Sequence, residues 1–415
     1  MSFTGYEEYK KSGFDWLGEI PKHWKTIPLW TYFRRVKRTG FIDEELLSVY
    51  RDHGVILKAS RDDNHNRASD DLEPYQLVNI GDLVINKMKA FQGSVAISDY
   101  RGIVSPAYFV FEGNHSSNPR FLHYLMRSNR YIFAYLSISN GIRPNQWDLE
   151  PQYHSRLPLV IPPEPEQKII ADFLDHETAK IDVLVTEQEK LIELLKEKRQ
   201  AVISNAVTKG LDPKVELKDS EVEWLGKVPV HWDVVPLKYF VSMKSGEQIT
   251  SEQIREESAF PVYGGNGLRG YFEKYTHDGE YPLIGRQGAL CGNINYANGK
   301  FWASEHAVVV TPQKMANIFY LGELLRSMNL GQYSTSAAQP GLSVEAIGNL
   351  RIPAPIIEEQ NQIADYLLIE SGKWESLIEA ATQSIKLLQE RRSALISAAV
   401  TGQIDVRNYQ AKESA

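Results

Sequence analysis

Two parts of this chain occur twice, and this internal repeat constrains the fold more than any other feature of the sequence. Residues 16–24 resemble residues 224–232 at an offset of 208 (224 − 16). Residues 164–212 resemble residues 357–405 at an offset of 193 (364 − 171) that stays constant from end to end. A repeat this long predicts two similar halves related by an internal pseudo-two-fold axis, and such symmetry suits a target made of two parts.

The longer repeat predicts two long helices. Prolines precede the first, and Gly210 followed by Pro213 ends it, as is usual at helix boundaries. At roughly 40 residues, or ~60 Å, each helix far exceeds the globular average of about 11 to 12 residues. We therefore expect a coiled coil, antiparallel because the internal two-fold favours that direction, and not two ordinary helices packed on separate cores. The predicted seam passes through Ile181, Leu184, Gln188, Leu191, Leu195, Lys198 and Val202 and through Trp374, Leu377, Ala381, Ser384, Leu388, Arg391 and Leu395, flanked by Val185, Ile192, Ile203, Ile378, Ile385 and Ile396.

The segments between the helices predict two compact α+β domains of similar layout. Short β-type runs alternate with turns, and one helical stretch follows the last run in each segment. Beyond glycine-rich turns the two segments share little sequence, which suggests that they bind different things. The predicted organisation is an N-terminal arm (1–24), a first head (25–163), a central helix (164–210), a linker with the second arm (211–232), a second head (233–356), a C-terminal helix (357–405) and a tail (406–415).

Bulk properties limit the cellular setting and the class of partner. The single cysteine, Cys291, cannot form an internal disulfide and fits a reducing cytosol. The polar N-terminus lacks the pattern of a signal peptide, and no apolar run approaches membrane-spanning length, so we expect a cytoplasmic protein. A net charge of −7 counts against a nucleic-acid binder held by global charge, although bases cluster at residues 34–38.

The repeated segments resemble the specificity (S) subunit of Type I restriction-modification enzymes over essentially the whole length. As a set they are specific to that family, although each alone is weak. The second proline run, residues 351–357, is looser than the first. The segments are Trp16-Leu17-Gly18 with Ile20-Pro21 and His23-Trp24, Trp224-Leu225-Gly226 with Val228-Pro229 and His231-Trp232, Leu157 to Pro163, Glu166-Gln167 with Ala171 to Leu174, Glu359-Gln360 with Ala364 to Leu367, Ile203-Ser204 with Ala206 to Thr208, and Ile396-Ser397 with Ala399 to Thr401.

The resemblance implies a function for each part. Each head would be a target-recognition domain for one half of a bipartite site in double-stranded DNA, and the helix pair would set the distance between the halves, about one turn of B-DNA. The helices would also dock two methyltransferase subunits, which use S-adenosylmethionine and methylate adenine. A separate restriction subunit, which uses ATP and Mg²⁺, would join for cleavage. This chain itself would be non-catalytic and need no cofactor.

One glycine-rich segment formally matches a dinucleotide-binding pattern. Residues 265–270 read G-x-G-x-x-G after a strand-like run, but a turn-prone segment follows where that fold needs a helix. We expect instead a tight loop that exposes Tyr263, Asn266 and Arg269 to a duplex. A hairpin loop without a ligand is about as probable for any one of these residues.

Two further pairs of loops occupy corresponding places in the two heads. Lys87, Lys89 and Gln92 follow one apolar strand, and Arg286 and Gln287 follow another; such side chains suit the major-groove edges of guanine and adenine. Solvated loop residues are the alternative. The third pair contributes Arg143, Asn145 and Gln146 in the first head and Gln339 in the second, where a plain turn is the alternative.

The remaining candidates are basic residues and a repeated histidine. Arg34 and Arg35, in a flexible basic run with Lys37 and Arg38, suit phosphate contacts, although residues 43–45 are equally able to pair with them. His23 and His231 lack metal-ligand spacing, so packing of the arms against the helices is favoured over a metal site.

Two rival functions stay open. One is a coiled-coil scaffold whose heads bind proteins or glycans, with binding that barely responds to salt. The other is a stand-alone enzyme that uses the glycine-rich loop and binds a nucleotide. The chain contains no Walker loop, no Asn/Asp-Pro-Pro-Tyr methylation motif, no zinc-type cysteine set and no nucleophile elbow, which supports a binder over an enzyme.

Overall fold

A computed structural model describes residues 4–51, 53–61, 68–143, 146–288, 290–334 and 341–409. The chain divides into two compact units, one comprising Met1–Gln188 with Gln383–Ala415 and the other Glu189–Thr382. Both divisions fall inside the long helices, so each unit holds part of each helix. The domain boundaries drawn from the sequence stay predictions.

The first unit is built from short strands and three short helices that precede the first long helix. The strands are β1 (Tyr9–Lys11), β2 (Glu19–Pro21), β3 (Lys25–Pro28), β4 (Phe33–Val36), β5 (Leu47–Tyr50), β6 (Gly54–Leu57), β7 (Gln76–Val78), β8 (Leu83–Asn86), β9 (Val95–Ile97), β10 (Gly102–Val104), β11 (Tyr108–Gly113), β12 (Ser139–Arg143), β13 (Gln146–Leu149) and β14 (Pro158–Ile161). The helices are α1 (Pro119–Arg127), α2 (Asn129–Ser137), α3 (Pro151–His154) and α4 (Glu164–Lys209).

The second unit has a closely similar order of elements. Its strands are β15 (Leu217–Asp219), β16 (Lys227–Pro229), β17 (Asp233–Pro236), β18 (Val241–Ser245), β19 (Phe260–Gly264), β20 (Gly267–Phe272), β21 (His277–Asp278), β22 (Tyr281–Gly285), β23 (Ile294–Ala297), β24 (Lys300–Ala303), β25 (Ala307–Pro312) and β26 (Arg351–Ala354). Its helices are α5 (Ile318–Ser327), α6 (Val344–Gly348) and α7 (Ile357–Val400).

The same four-stranded antiparallel sheet occurs in both units. Its order is β4-β11-β8-β9 in the first and β18-β25-β22-β23 in the second. One helix packs on each sheet, α1 or α5, and each begins at an asparagine cap, Asn118 or Asn317, whose side chain accepts backbone N–H groups of the first turn. The second unit adds a mixed sheet, β20-β19-β24-β21, in which β19 and β24 run parallel. These findings confirm the predicted α+β class with two similar heads.

The two long helices pack against each other in opposite directions within each unit. In the first unit, α4 residues 170–174 share a core with Ile396, Ala399 and Val400, while farther along α4 Asp182 contacts Arg392. In the second unit, Ile203, Ala206 and Val207 of α4 share a core with α7 residues 363–367. There Arg199 contacts Glu375. The predicted antiparallel coiled coil is therefore confirmed.

The predicted seam was wrong at five of its fourteen positions, whereas the predicted Ser384 is half-buried. Leu184, Leu191 and Leu377 are 49%, 41% and 51% exposed, and Lys198 and Arg391 are exposed as well. The positions one residue later are half-buried instead, so each helix buries residues at a four-three spacing rather than three-four. The heptad period was read correctly, but a leucine followed directly by valine or isoleucine, as at residues 184–185, 191–192 and 377–378, made the phase ambiguous. The seam runs through Ile181, Val185, Gln188, Ile192, Leu195, Arg199 and Val202 and through Trp374, Ile378, Ala381, Ile385, Leu388, Arg392 and Leu395.

Candidate nucleic-acid interface

A nine-residue turn joins two neighbouring strands in the sheet of each unit. In the first unit it covers residues 86–94, where the N–H of Asn86 donates to Ser94 O at 3.0 Å. In the second it covers residues 285–293, where the N–H of Gly285 donates to Asn293 O at 2.8 Å. Each turn contains a glycine with positive φ, 91° at Gly93 and 88° at Gly292.

The first residue after the strand makes the same backbone contacts in both units, and its partners lie outside the turn. The N–H of Lys87 donates to Ala107 O at 3.2 Å, and that of Arg286 donates to His306 O at 2.9 Å. Their carbonyls each accept an N–H from the third predicted loop pair, that of Leu149 and that of Leu342, both at 3.0 Å. The two turns therefore correspond residue by residue at an offset of 199 (286 − 87), and the structure places the second and third loop pairs side by side.

The hairpin β12–β13 lies against the turn of the first unit. The Lys87 ammonium is 3.5 Å from Asp148, and the ring of Phe91 packs 5.1 Å from that of Trp147. Arg143 and Gln146 face each other across the hairpin backbone. Asn145, which lies between them in sequence, is outside the described residues. Lys89 is exposed and Gln92 is half-buried within the turn.

The corresponding place in the second unit brings three segments together. Arg286 donates through Nη1 to Ser245 Oγ at 3.1 Å, and the neighbouring Gln287 is exposed and forms a backbone bridge with Gly341. Cys291 donates through Sγ to Arg286 O at 3.1 Å, and burial raises the pKa of this thiol. Gln339, predicted here from sequence, lies outside the described residues.

The glycine-rich segment forms the hairpin β19–β20, and no helix follows it. Asn266 is exposed at the hairpin turn, and Arg269 is exposed beyond it with its aliphatic stem over Gly264. A Cβ at Gly265 would lie 3.1 Å from His306 O and 3.5 Å from Gln287 O, so the hairpin turn sits directly beside the turn at 285–293. Tyr263 is half-buried, with its ring edge-to-face against Phe301 at 5.7 Å. The Tyr263 side chain therefore packs on the sheet and supports it.

The basic run at residues 34–38 begins on a strand, which ends at Val36, rather than forming a flexible segment. Arg34 and Arg35 lie on β4 at the edge of the sheet. Arg34 pairs with Glu112 at 2.9 Å, and the hydrogen bonds from Arg34 and Arg38 lower the pKa of this carboxyl. Arg38 also contacts Asp82 at 2.7 Å. The alternative partners at residues 43–45 were wrong for Arg34 and Arg38, since Glu44 pairs with Arg101 at 2.7 Å.

The guanidinium of Arg35 takes a different environment from that of Arg34. It lies 4.3 Å from the centre of the Phe109 ring, a cation–π contact made on the face of the sheet. Arg35 is exposed there, whereas the Arg34 head is held by a carboxylate. An arginine fixed by an aromatic ring keeps its N–H donors available to an outside acceptor.

The repeated histidines contact a repeated glutamate at the start of each long helix. His23 Nε2 lies 2.7 Å from Glu166, and the Trp24 indole donates to the same carboxylate at 3.0 Å. In the second unit the corresponding distances to Glu359 are 2.9 Å from His231 and 2.9 Å from Trp232. These contacts tie each arm to a long helix. Within the described ranges, no group of three or more His, Cys, Asp or Glu side chains is placed to hold a metal ion.

The glutamine that follows each of these glutamates makes a second contact that occurs in both units. Gln167 accepts the N–H of Asn118 at 2.8 Å, and Gln360 accepts the N–H of Asn317 at 3.1 Å. Each long helix is thereby joined to the cap of the helix that packs on the sheet. The sheets that carry the turns at 86–94 and 285–293 are thus connected to the long helices in the same way in both units.

Sequence reasoning missed three residues of this interface. Met88 is exposed in the first turn, Trp147 supports that turn, and Ser245 holds Arg286. Aligning the two turns at an offset of 199 would have found Met88 as the counterpart of Gln287. No signal in the sequence pointed to Trp147 or Ser245, because both contacts join segments far apart in the chain.

Comparisons with known proteins agree with this architecture. Residues 229–369 match the sequence model of the Type I restriction modification DNA specificity domain. The Type I restriction enzyme EcoprrI specificity subunit of Escherichia coli is 40% identical over 176 residues, or 41% of each chain. The putative Type I restriction enzyme MjaX specificity subunit of Methanocaldococcus jannaschii is 24% identical over 445 residues, covering 98% of this chain and 99% of that one. This chain thus spans about two-fifths of the E. coli relative's length and nearly all of the archaeal one's.

The fold also matches a solved structure. A chain from the structural study of complex assembly and conformational transition of the type I R-M system superposes with a TM-score of 0.69 at 17% identity, over 92% of this chain and 98% of that chain. The likeness supports the fold described above. Over the part of the chain that the structure describes, no helix is both long and apolar enough to cross a membrane.

Proposed function

We propose, from the confirmed resemblance to Type I restriction-modification specificity subunits, that this chain is the sequence-specific DNA-binding subunit of such a complex. Each head recognises one half of a bipartite site, and the chain itself carries out no chemistry. One observation carries the proposal. A corresponding turn lies on the equivalent sheet of each unit, anchored by the same backbone contacts of Lys87 and Arg286 but with unlike side chains, which is the design expected of two recognition surfaces with different targets.

The predicted site residues divide by chemistry into two classes of DNA contact. Cations on the sheet edge and in the turns (Arg34, Arg35, Lys87, Lys89, Arg143, Arg269 and Arg286) suit phosphates and guanine edges. The amides (Gln92, Asn145, Gln146, Asn266, Gln287 and Gln339) suit base edges, adenine above all. Tyr263, predicted for the same role, packs on Phe301 instead and is left out of this class. Phosphate contacts of the first class thus set the register, and contacts of either class with base edges recognise the sequence.

The partners follow from the same proposal. Two methyltransferase subunits dock on the long helices and supply S-adenosylmethionine, and they flip the target adenines out of the stack. Restriction subunits that use ATP and Mg²⁺ join where cleavage occurs. In support, α4 exposes Leu184, Leu191 and Leu194, and α7 exposes Leu377 and Leu387, each between 41% and 54%. Apolar side chains left in water along a helix mark a protein–protein surface.

The helix pair sets the spacing of the half-sites, at about one turn of B-DNA. In support, each unit holds the two helices together through a shared core and one interhelical ion pair. The protein acts in the cytoplasm, where its DNA target lies.

The test is to co-purify the full chain with its methyltransferase subunit and map methylated adenines across a genome. We expect a motif of two blocks separated by a fixed spacer. Replacing residues 233–356 with a foreign head should change one block and leave the other. A single-block motif, or a motif unaffected by the exchange, would falsify the proposal.

A further inference from the structure

Two equivalent turn residues stand out because they are exposed side chains on a fixed backbone. Met88 and Gln287 correspond at the offset of 199, one residue after Lys87 and Arg286. Met88 is 38% exposed, although it is apolar, and Gln287 is exposed as well. The residue before each, Lys87 or Arg286, makes the same two backbone hydrogen bonds in both heads, so the two side chains project from equivalent places. The N–H of Met88 is held in addition by Asn86 Oδ1 at 3.2 Å, whereas Gln287 forms a backbone bridge with Gly341.

Their neighbours in the turn have other tasks. The side chains before them are tethered, Lys87 to Asp148 and Arg286 to Ser245. Farther along, Ala90 is buried and Phe91 packs on Trp147, while Cys291 donates to the turn's own backbone. The residue that follows the pair is Lys89 in one turn and Gly288 in the other. Position 88/287 is therefore the place in this turn where both heads present an untethered side chain, as far as the described residues show.

The two side chains offer unlike chemistry to a base. The Gln287 amide has a donor and an acceptor, which match N7 and the N6 amino group of adenine in the major groove. Met88 has an apolar, polarisable tip without a strong donor or acceptor, and the apolar group of the major groove is the C5 methyl of thymine.

We infer that position 88/287 determines specificity in both heads: Met88 selects a thymine through its methyl group, and Gln287 selects an adenine through its Hoogsteen edge. The inference rests on the proposed function and adds to it the base that each head recognises at this position. The residue before each reader is held through both its backbone and its side chain, Lys87 by Asp148 and Arg286 by Ser245, and so fixes the position of the reader against the base pairs.

The experiment removes one functional group at a time, first from the DNA and then from the protein. The complex of the full chain with its methyltransferase subunit binds duplex oligonucleotides that carry the mapped bipartite motif. Each thymine of the motif is replaced in turn by deoxyuridine, and each adenine by 7-deazaadenine. We expect one deoxyuridine position to weaken binding about fourfold, the equivalent of ~0.8 kcal/mol for one buried methyl group. One 7-deazaadenine position in the other half-site should weaken it roughly tenfold, within the range of base discrimination per contact.

Protein variants assign these effects to the two residues. Met88→Ala should abolish the deoxyuridine effect and leave the 7-deazaadenine effect, and Gln287→Ala should do the reverse. Met88→Leu keeps an apolar tip and should keep the sensitivity to the methyl group. Met315→Ala, at a position 81% exposed in the loop before α5, is the matched control and should behave as the unaltered protein.

The outcomes separate this inference from the proposed function. A bipartite motif with deoxyuridine sensitivity that survives in Met88→Ala would overturn the role of Met88 alone. Loss of both effects in either variant, with the methyltransferase still bound, would show that position 88/287 supports the fold and does not select a base. A motif that lacks two blocks would instead sink the proposed function.

Discussion

His154 in the first unit occupies a place that the second unit fills with Ile347. Both residues are fully buried, and each donates its backbone N–H to a residue four earlier, at 3.0 Å. The His154 ring lies 5.2 Å from that of Phe111 and 5.9 Å from that of Tyr135. Neither ring nitrogen has a hydrogen-bond partner among the described residues. Burial accordingly lowers the pKa of this histidine to about 3.

His154 should make the protein sensitive to acid. Because its folded pKa lies below the unfolded value of about 6.5, its neutral form is favoured in the fold, and stability is lost as pH falls from about 6.5 toward 3. The loss approaches ~1.4 kcal/mol per pH unit in that window. His154→Ile, the residue of the other copy, should reduce the difference in unfolding free energy between pH 7.5 and 5.5 by about 1 kcal/mol.

Denaturant titrations at the two pH values measure this difference. The control is His154→Gln, which keeps a polar side chain of similar size without a titrating ring and should reduce the pH dependence as His154→Ile does. An unchanged pH dependence in His154→Ile would show that the ring is not held neutral by its surroundings.

Two interhelical ion pairs are copies of a single pair. Asp182 contacts Arg392 at 3.0 Å in the first unit, and Arg199 contacts Glu375 at 3.5 Å in the second. Glu375 follows Asp182 by 193 residues (375 − 182), and Arg392 follows Arg199 by the same number (392 − 199). The internal repeat therefore supplies each helix with one acid and one base, and the antiparallel direction brings unlike charges together.

Reversing one member of a pair should destabilise the helix pair, and reversing both should restore it. Arg392→Glu places two acids together and should lower the free energy of unfolding by up to about 1 kcal/mol, since partly exposed pairs contribute ~0.2–1 kcal/mol. Asp182→Arg in the same chain should recover most of that loss. Thermal unfolding of the three variants measures the coupling.

The neighbouring Arg391→Glu is the matched control for this charge reversal. Arg391 is exposed and outside the seam, so its reversal should cost less than that of Arg392. Equal losses for both would mean that the change in net charge, and not the contact with Asp182, causes the effect.

The long helices could be predicted well and their contact surface only in part. Period, length and boundary residues all indicated a coiled coil, because each is a local property of the sequence. The choice between Leu184 and Val185 as seam residues depends on how the partner helix is rotated, which is not a local property. Three of the positions wrongly assigned to the seam are leucines exposed to water. These leucines belong to the docking surface proposed above, so the apolar pattern of the helices contains two surfaces and does not by itself identify the seam.

The net charge of −7 applies to the molecule as a whole, while the proposed DNA contacts are local. An overall negative protein repels a duplex at long range, so local cations must be supplemented before binding is tight. The methyltransferase subunits are the natural source of additional phosphate contacts. DNA affinity should accordingly belong to the assembled complex more than to this chain.

Salt titration of the complex tests whether DNA is the ligand of the heads. With 6 to 10 phosphate contacts, affinity should fall roughly 10³- to 10⁵-fold between 50 and 200 mM salt. Lys89→Gln should make the dependence less steep by about one phosphate contact while the methylated motif stays the same. Binding that barely responds to salt would favour the scaffold alternative, with heads that bind proteins or glycans.

The candidate interface was predictable as a set of loops but not as a surface. Residue type and position after an apolar strand identified Lys87, Arg286 and Gln287. Their placement beside Leu149 and Leu342 depends on hydrogen bonds between distant segments, which no local pattern encodes. For the same reason Arg34 was expected to be free in a flexible run, whereas a carboxylate on the adjacent strand holds it.

The residues before positions 88 and 287 are anchored by main-chain hydrogen bonds that occur in both units, and this has an evolutionary consequence. Mutations in the codons for positions 88 and 287 alter what the protein prefers without disturbing what keeps it folded. A lineage can therefore explore new targets one nucleotide at a time, with no compensating change elsewhere in the gene. Diversification of this kind costs little stability, so the pace at which such proteins acquire new preferences is set by selection rather than by folding.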